Sequence, residues 1–305
     1  MKRNIYSKLW MISFVLMGAA CTNQVEDAIP VSGQPIEFSV QSDWKEIHNS
    51  RSNDKTQFGP NDEIQIFGFH KPFRDADENV QFMYKEGDPT TGQKVTYDNG
   101  NWNYSPKRFW PKKGVLDFFA SYPYNSVHYD VGNKRMTYNN NLTQDLLYGL
   151  ATNRDCASKE TVSIWMVHAL AKVRIILDES LGDIGQVTVS GYKTGHFSPI
   201  NNGVPAWEID NVNTHIYADF RKYEGKVDEE LKNNNSVTVF ILPDKITGLK
   251  MWNSVGQEID ASEEIKRHTF LAGKVYNLTI SKSNGVRKKN TNSRSIAMSV
   301  RCVSE

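Results

Sequence analysis

Short segments in which apolar and polar residues alternate recur along the whole chain, and Gly, Asn or Pro separates them. Residues 36–40, 173–177 and 237–242 show the pattern, and a period of two is typical of a strand with one buried face. Residues 141–150 could form one turn of helix, but no segment keeps a helical period over three turns. The sequence therefore predicts an all-β fold.

Aromatic content and turn residues favour the same fold class. The chain has 14 Phe, 13 Tyr and 7 Trp, and large aromatic residues are enriched in strands. Asn99-Gly100 lies between strand-like residues within 95–104, and Asn-Gly tolerates the positive φ of a type I′ hairpin turn. Further strands are predicted at residues 64–69, 115–120, 161–167, 187–190, 215–220 and 275–280.

The length of the chain, 305 residues, allows two domains of about 100–150 residues each. A polar loop at 157–160 precedes a new strand, so we predict β-sandwich domains at 35–160 and 161–282. Residues 22–34 are polar and aperiodic, which predicts a tether. Residues 283–305 are predicted to be a C-terminal tail whose alternating residues could form one more strand: Ile296, Met298, Val300 and Cys302.

The first 21 residues have the pattern of an export signal. A cationic start is followed by the apolar run 9–17 and by Gly18-Ala19-Ala20-Cys21. The ending resembles a bacterial lipobox, in which Cys21 is acylated and becomes the new N-terminus, although Gly18 stands where Leu is usual. The alternative is an ordinary secretory signal cleaved near Ala20. Both predict a protein outside the cytoplasm, and lipid on Cys21 would hold it at a membrane.

The charge and the cysteine content of the chain indicate which kinds of partner and which compartment are compatible with it. The formal net charge is +1, from 36 basic and 35 acidic residues, which argues against a nucleic-acid partner because such proteins carry a surplus of positive charge. Beyond the signal no apolar run approaches the 18 or so residues of a membrane-spanning helix. Once Cys21 is acylated, Cys156 and Cys302 remain, and they could pair in an oxidising compartment.

Motifs of catalysis and cofactor binding are missing from the sequence. It contains no His-Glu-x-x-His, no Gly-x-Ser-x-Gly and no phosphate-binding Gly-x-x-x-x-Gly-Lys. His168 lies in a strand-like run, which favours a hydrogen-bonded structural residue over a ligand. The acidic pairs Asp62-Glu63 and Glu229-Glu230 would point to opposite faces if they lie in strands. We therefore predict no enzyme activity, no cofactor and no metal.

Two features leave alternatives open. The basic run Arg287-Lys288-Lys289 could bind phosphate or an anionic sugar, or could simply be solvated. Trp207 could stack on a sugar ring, or could be an aromatic residue at the edge of a sandwich.

Six residue groups occur in an order that resembles the fimbrillin-like proteins, the type V pilus subunits of anaerobic oral and gut bacteria. Each group is short, but together they span residues 59–280. They are Gly59-Pro60-Asn61-Asp62-Glu63-Ile64-Gln65-Ile66-Phe67, Trp102-Asn103-Tyr104-Ser105-Pro106-Lys107-Arg108-Phe109-Trp110-Pro111, Leu116-Asp117-Phe118-Phe119-Ala120-Ser121-Tyr122-Pro123, Asp145-Leu146-Leu147-Tyr148, His168-Ala169-Leu170-Ala171-Lys172-Val173 and Tyr276-Asn277-Leu278-Thr279-Ile280.

The resemblance implies two transthyretin-like β-sandwich domains in series and export as a lipoprotein. It also implies assembly by strand exchange after an outer-membrane, arginine-specific protease removes the N-terminal segment. In this chain the strand at 36–40 would be the removable one, and Arg51 is the candidate cleavage site. The candidate donor strand is the C-terminal alternation of Ile296, Met298, Val300 and Cys302.

The function implied is that of a non-enzymatic fimbrial subunit, stalk or tip, which supports cell adhesion and biofilm formation. Its partners would be other fimbrial subunits and, through lipid such as palmitate on Cys21, the outer membrane. It would be exposed on the cell surface in a fimbrium. The motifs do not separate stalk, tip and anchor, and they do not indicate the adhesion receptor. The alternative function is a surface glycan-binding lipoprotein, with Trp207 or Trp252 as the sugar platform.

Overall fold

The computed structural model of the protein describes residues 29–42, 57–73, 79–199, 206–210, 215–282 and 298–304. Nearly all regular structure in these residues is β, so the predicted fold class is confirmed. Two short α-helices, α1 (Glu229–Asn234) and α2 (Ser262–Ile265), and a 3₁₀ turn at Glu179–Leu181 are also present. The predicted arrangement of two transthyretin-like sandwiches stays a prediction, with which the sheets described below are consistent.

Twelve strands make up most of the first unit. In chain order they are β1 (Val31–Pro35), β2 (Phe38–Ser42), β3 (Glu63–Lys71), β4 (Val80–Met83), β5 (Gln93–Asp98), β6 (Asn101–Asn103), β7 (Phe109–Pro111), β8 (Val115–Tyr122), β9 (Val127–Asp130), β10 (Arg135–Asn139), β11 (Leu147–Asp155) and β12 (Val162–His168).

The main sheet of this unit has eight strands and curls around its own core. Seven of them follow the order β2-β12-β11-β8-β3-β5-β6, and β4 pairs with β3. The two ends of the sheet meet, because the indole Nε1 of Trp102 on β6 donates a hydrogen bond of 3.3 Å to the carbonyl oxygen of Val40 on β2. The enclosed core is rich in aromatic side chains, including Trp102, Tyr104, Trp110 and Phe118.

A smaller sheet covers the outer face of the main sheet. Its order is β16-β15-β10-β9, where β15 (Thr194–Phe197) and β16 (Glu208–Ile209) come from later in the chain. Between the two sheets lies a second aromatic cluster, in which the rings of Phe119 and Phe197 are 5.7 Å apart. A segment from the second half of the sequence therefore completes the packing of the first unit.

The remaining strands form a sandwich of two four-stranded sheets. One has the order β18-β13-β21-β22, and the other has the order β17-β14-β19-β20. The strands are β13 (Ala171–Leu177), β14 (Ile184–Tyr192), β17 (His215–Arg221), β18 (Ser236–Ile241), β19 (Gly248–Asn253), β20 (Glu258–Asp260), β21 (Val275–Lys282) and β22 (Met298–Ser304). Their shared core is mostly aliphatic, with Val, Ile and Leu side chains from both sheets.

One predicted turn is present in the structure, and two predicted segments differ from it. The Asn99-Gly100 hairpin is confirmed, because both residues have positive φ, 48° and 84°, between β5 and β6. The helical turn at 141–150 is wrong: side-chain-capped turns begin there, and β11 follows from Leu147. Glu229-Glu230 is also not in a strand; Asp228 caps α1 by accepting from the amide of Leu231, which turns both carboxylates into a helical first turn.

The division into domains at 160 and 161 stays a prediction. Strand β12, which that boundary assigns to the second domain, pairs with β2 and β11 in the main sheet of the first unit. Pairing alone therefore favours a boundary just after His168. The tether is also shorter than predicted, since Val31–Pro35 already forms β1.

Candidate assembly site

The N-terminal segment of the described chain, residues 30–42, contains β1 and β2 and pairs with later strands of the first unit. Strand β1 runs antiparallel to β7, with Val31 opposite Pro111 and Pro35 opposite Phe109. Strand β2 runs parallel to β12, from Phe38 opposite Val162 onward, and is the terminal strand of the main sheet. The segment therefore pairs with strands far away in sequence and occupies an edge position.

Residues 36–40 alternate in burial as the sequence predicts, and their apolar side chains belong to the core, although the strand itself begins at Phe38, two residues later than predicted. Ile36, Phe38 and Val40 are 0%, 6% and 7% exposed, whereas the residues between them are exposed. The ring of Phe38 meets that of Phe118 edge-on, with centroids 5.4 Å apart, and lies 5.8 Å from that of Tyr104. The N-terminal strand thus fills the first core instead of lying on its surface.

Backbone groups of the segment are also paired at several points along it. The amide of Ile36 donates to the carbonyl of Arg108 at 2.8 Å, and the carbonyl of Glu37 accepts from the amide of Val162 at 2.8 Å. Further back, the carbonyl of Pro30 accepts from an amide that follows β7. These bonds involve main-chain atoms alone, so another strand could form them equally well.

Two side chains of the core also bind the backbone of the segment. The hydroxyl of Tyr104 donates to the carbonyl of Ile36 at 2.8 Å, and the indole of Trp102 donates to the carbonyl of Val40. Burial raises the pKa of Tyr104 to about 12, because the phenolate would be desolvated. Tyr104 is therefore a neutral hydrogen-bond donor over the whole physiological pH range.

Removal of this segment would leave an apolar groove with an unpaired edge. Three buried apolar side chains would leave, each worth about 1.5–3 kcal/mol of burial, or roughly 5–9 kcal/mol together. The backbone of β12 would lose its parallel partner, and β7 would lose its antiparallel one. Unpaired strand edges next to exposed apolar surface recruit a strand from another chain.

The C-terminal alternation forms a strand, as predicted for Met298, Val300 and Cys302. Strand β22 is antiparallel to β21, with a register that runs from Met298 opposite Lys282 to Ser304 opposite Tyr276. It is the terminal strand of its sheet. Ile296 lies outside the described residues, and the donor role of the strand stays a prediction.

Two other predicted site residues lie outside the described part of the chain. Cys21 precedes Ile29, where the description begins, and Arg51 lies in the stretch 43–56 between β2 and Gln57. Lipidation and cleavage at these residues stay predictions. The position of Arg51 in the chain does place it between the N-terminal strand and all later strands.

Trp207 is partly buried and packs against the core between the two sheets of the first unit. Its indole Nε1 donates to the carbonyl of Ala169 at 2.9 Å, and its ring meets that of Phe197 at 4.8 Å. Gly195 lies directly under the ring, since a Cβ there would come within 2.7 Å of it. These contacts cover part of the indole, and they favour the interpretation of Trp207 as an aromatic residue at the edge of a sandwich. Trp252 on β19 is half-buried, opposite Gln186 and Glu258.

His168 joins two segments of the first unit. Its Nδ1 is hydrogen-bonded to the carboxylate of Asp145, and the next residue, Ala169, donates its amide to the carbonyl of Leu146 at 2.8 Å. The predicted structural role of His168 fits this geometry.

Glu230 also has local partners. Its carboxylate accepts hydrogen bonds from Arg174, at 3.1 Å, and from two neighbouring hydroxyl groups, so it links α1 to the adjacent strands.

Cys156 is a free thiol buried in the first core. Burial raises its pKa to about 12, so the thiol stays protonated and unreactive while it is enclosed. Within the described residues, no three His, Cys, Asp or Glu side chains form a group that could hold a metal ion. No helix among them is long and apolar enough to cross a membrane.

Two features of the site were missed from the sequence. Strand β1 has no apolar alternation, and its burial pattern is mostly exposed, so only its pairing with β7 reveals it. Trp165 on β12 was also not singled out, although it is 53% exposed and lies opposite Gln41 of the N-terminal strand. The sequence does indicate Trp165, because it is an aromatic residue at a position of the alternating segment 161–167 where a polar residue is expected.

Comparison with known proteins agrees with this architecture. The family model described as fimbrillin-like matches residues 50–297. The match covers most of the chain and begins after the N-terminal strand. The chain belongs to the fimbrillin-like family.

Solved structures show the same fold. A proposed cell adhesion protein from Bacteroides uniformis superposes with a TM-score of 0.52 at 16% identity, over 88% of this chain and 98% of that one. Another from Bacteroides ovatus has a TM-score of 0.50 at 14% identity, over 88% of this chain and 95% of that one. No curated protein matches the sequence.

Proposed function

We propose that this protein is a non-enzymatic structural subunit of a fimbrium that supports cell adhesion and biofilm formation. Membership of the fimbrillin-like family supports the fimbrial role, and the fold is shared with proteins described as cell adhesion proteins. The observation that carries the proposal is the N-terminal strand β2, which lies at the edge of the main sheet, contributes buried side chains to the first core and precedes every later strand of that sheet in the chain.

The precursor is exported as a lipoprotein and is held at the outer membrane by acyl chains on Cys21. Each buried methylene of such a chain adds about 0.8 kcal/mol to membrane binding. Cleavage after Arg51 then frees residues 22–51, including β1 and β2. The polar, aperiodic sequence around Arg51 suits a protease, since no apolar residues there need a core.

The groove is refilled by the C-terminal strand of a neighbouring subunit. Ile296, Met298, Val300 and Cys302 supply the apolar face, and four such side chains contribute roughly 6–10 kcal/mol before the cost of ordering the tail. To donate this strand, a subunit must first detach β22 from β21. Strand β22 is the terminal strand of its sheet, so it can leave without breaking the pairing of the other three strands.

Three variants test these steps in turn. Cys21→Ser should lose acylation, Arg51→Ala should stay full length, and Val300→Asp should be cleaved but fail to polymerise. Lys55→Ala, four residues after Arg51, is the matched control for cleavage and should be processed normally by an arginine-specific enzyme. Electron microscopy of sheared surface filaments, labelled with antibody to the protein, is the measurement. If deletion of residues 290–305 leaves filament length unchanged, the tail is not the donor and an anchor or tip role is favoured.

A further inference from the structure

The outer face of one sheet of the second sandwich carries aromatic rings among polar side chains. In the sheet β17-β14-β19-β20, residues that alternate with those of the aliphatic core point away from it. Four of them lie in one row across the sheet, in the order Arg221, Gln186, Trp252 and Glu258. Neighbours in such a row are close enough to contact the same ligand.

The indole of Trp252 differs from those of Trp102 and Trp207. Trp102 and Trp207 each donate their Nε1 to a main-chain carbonyl. Within the described part of the chain, Nε1 of Trp252 has no acceptor, and its ring contacts no other aromatic ring. The residue is partly exposed, so both its ring and its N–H group are available to a ligand.

Tyr223 adds a second ring, which is held in place at the end of this row. Its hydroxyl donates to the carboxylate of Asp183 at 2.6 Å. Its ring packs over Gly185, where a Cβ would lie 3.5 Å from a ring carbon and 3.9 Å from the carbonyl oxygen of Trp252. Tyr223 is nevertheless 57% exposed. A ring that is both fixed and exposed loses little conformational entropy when a ligand packs on it.

Charges of both signs alternate around the two rings. Nζ of Lys250 lies 2.8 Å from Oε1 of Glu258 and 3.9 Å from Oδ2 of Asp260. Nζ of Lys222 lies 2.8 Å from Oδ1 of Asp183. Mixed signs disfavour a polyanion, which is attracted by a field of one sign, and they disfavour a protein partner, because the core of a protein interface is depleted of charged residues. A neutral ligand rich in hydroxyl groups fits, since each hydroxyl both donates and accepts hydrogen bonds.

We propose that this face binds a neutral glycan, with sugar rings packed on Trp252 and Tyr223 and with hydroxyl groups bonded to Gln186, Arg221 and Glu258. These five residues are called the glycan face. The proposal rests on the proposed adhesion function, to which it adds the chemical class of the receptor and the part of the chain that binds it.

Each group of the glycan face matches one part of a sugar. The C–H face of a pyranose ring is apolar and packs on an aromatic ring. The amide of Gln186 donates and accepts, the guanidinium of Arg221 donates, and the carboxylate of Glu258 accepts. Apolar stacking and directed hydrogen bonds are therefore available on one surface.

The glycan face is separate from the strands of the proposed exchange. Among the described strands, none of β14, β17, β19 and β20 pairs with β1, β2 or β22. Cleavage and assembly therefore leave the face in place, and a fimbrium would present one copy on every subunit. Repeated copies turn a weak single contact into strong attachment.

Affinity electrophoresis of the uncleaved chain tests the proposal. Native gels contain mannan, dextran or xyloglucan, which are neutral, or alginate, which is anionic, and the mobility gives an association constant. At least one neutral polysaccharide should retard the wild-type chain, and alginate should not. Trp252→Ala should lower the association constant for that polysaccharide about ten-fold, and Tyr223→Ala about three- to ten-fold. Trp252→Phe keeps a ring and should lose less than Trp252→Ala.

Trp165→Ala is the matched control, because Trp165 is also an exposed tryptophan at an outer position of a sheet, but in the first unit. It should not change the association constant. Glu258→Gln, at an exposed position, leaves the core untouched and should still weaken binding about three-fold. Retardation by none of the neutral polysaccharides, retardation by alginate alone, or an equal loss in Trp165→Ala and Trp252→Ala would each overturn the glycan face.

Filament assembly distinguishes the glycan face from the proposed function. Trp252→Ala and Tyr223→Ala should assemble into filaments of wild-type length that no longer retain the neutral polysaccharide. A wild-type chain that binds the polysaccharide through Trp252 but forms no filaments would refute the fimbrial function and leave the glycan face intact.

Discussion

The cores of the two units differ in what completes them. In the first unit an aromatic core is closed by a strand from the N-terminal end of the chain, whose Ile36, Phe38 and Val40 side chains are all buried. In the sandwich of the second unit, the described core is mostly aliphatic and is built largely from strands internal to the sequence. The first core can therefore lose part of itself by a single cut in the chain, whereas the second keeps its internal strands.

The two terminal strands, β2 and β22, also differ in their direction relative to the neighbouring strand. Strand β2 is parallel to its neighbour β12, and it is followed by a long connection, 43–56, before the next described residue. Strand β22 is antiparallel to β21 and also follows a long connection, 283–297. Each of these terminal strands is joined to the rest of the fold by a polar segment, which is the arrangement that an exchange of strands requires.

The largest expected effect lies at the centre of the first core. Phe118 is 1% exposed and packs edge-on against both Phe38 and Trp110. Phe118→Ala should lower the free energy of unfolding of the uncleaved chain by about 3–5 kcal/mol, since a cavity remains where the ring was. Chemical denaturation of the full chain measures this.

The control for this variant is Tyr217→Ala on the outer strand of the second sandwich. Tyr217 is 68% exposed, so its truncation should change the free energy of unfolding by no more than about 0.5 kcal/mol. An unchanged melting temperature for Phe118→Ala would show that the first core is not organised around β8.

A second prediction separates the two cores before and after cleavage. Phe38→Ala should destabilise the uncleaved chain by about 3 kcal/mol, because the ring fills an aromatic site at the edge of the sheet. Once residues 22–51 have been removed, the same variant should be indistinguishable from wild type, because the substituted residue has left.

Phe270→Ala is the matched variant in the second core, where Phe270 is fully buried against Tyr276. It should cost about 3–5 kcal/mol both before and after cleavage. The free energy of unfolding of cleaved and uncleaved protein is compared for the two variants. A cost of Phe38→Ala that persists after cleavage would mean that the segment stays bound, and the contrast between the two cores would disappear.

Much of this contrast could be predicted from the sequence, because alternation reports local burial. The segments around Phe118, Val173 and Val239 were predicted as strands and are strands. The hairpin at Asn99-Gly100 was predictable because a type I′ turn requires positive φ at both residues.

Pairing between distant segments could not be predicted in the same way. Alternation does not reveal that β2 lies parallel to β12, or that β15 and β16 join a sheet with β10, since any strand of the right face could pair there. The two short helices were missed because a helix of one or two turns is set by its cap and its tertiary packing, as at Asp228, and not by a long period.

The smallest expected effect concerns the hydroxyl that binds the N-terminal strand. Tyr104→Phe removes its hydrogen bond to the carbonyl of Ile36 and should lower the free energy of unfolding by about 0.5–1.5 kcal/mol at neutral pH. Tyr97→Phe, on β5, is the control, because its hydroxyl makes no such bond to the segment among the described residues.

The effect of Tyr104→Phe on the free energy of unfolding should also depend on pH. The pKa of Tyr104 is about 12 in the folded chain, against 10.0 for an ordinary tyrosine, so the unfolded chain loses its phenol proton first. Stabilisation from the neutral phenol is complete below about pH 10 and is lost as the pH rises towards 12. Phenylalanine does not ionise, so Tyr104→Phe should lose less stability than wild type between pH 9 and pH 11, measured by urea denaturation over about 2 pH units. Parallel curves for the two proteins would mean that Tyr104 is solvated, and that the N-terminal strand does not seal the first core.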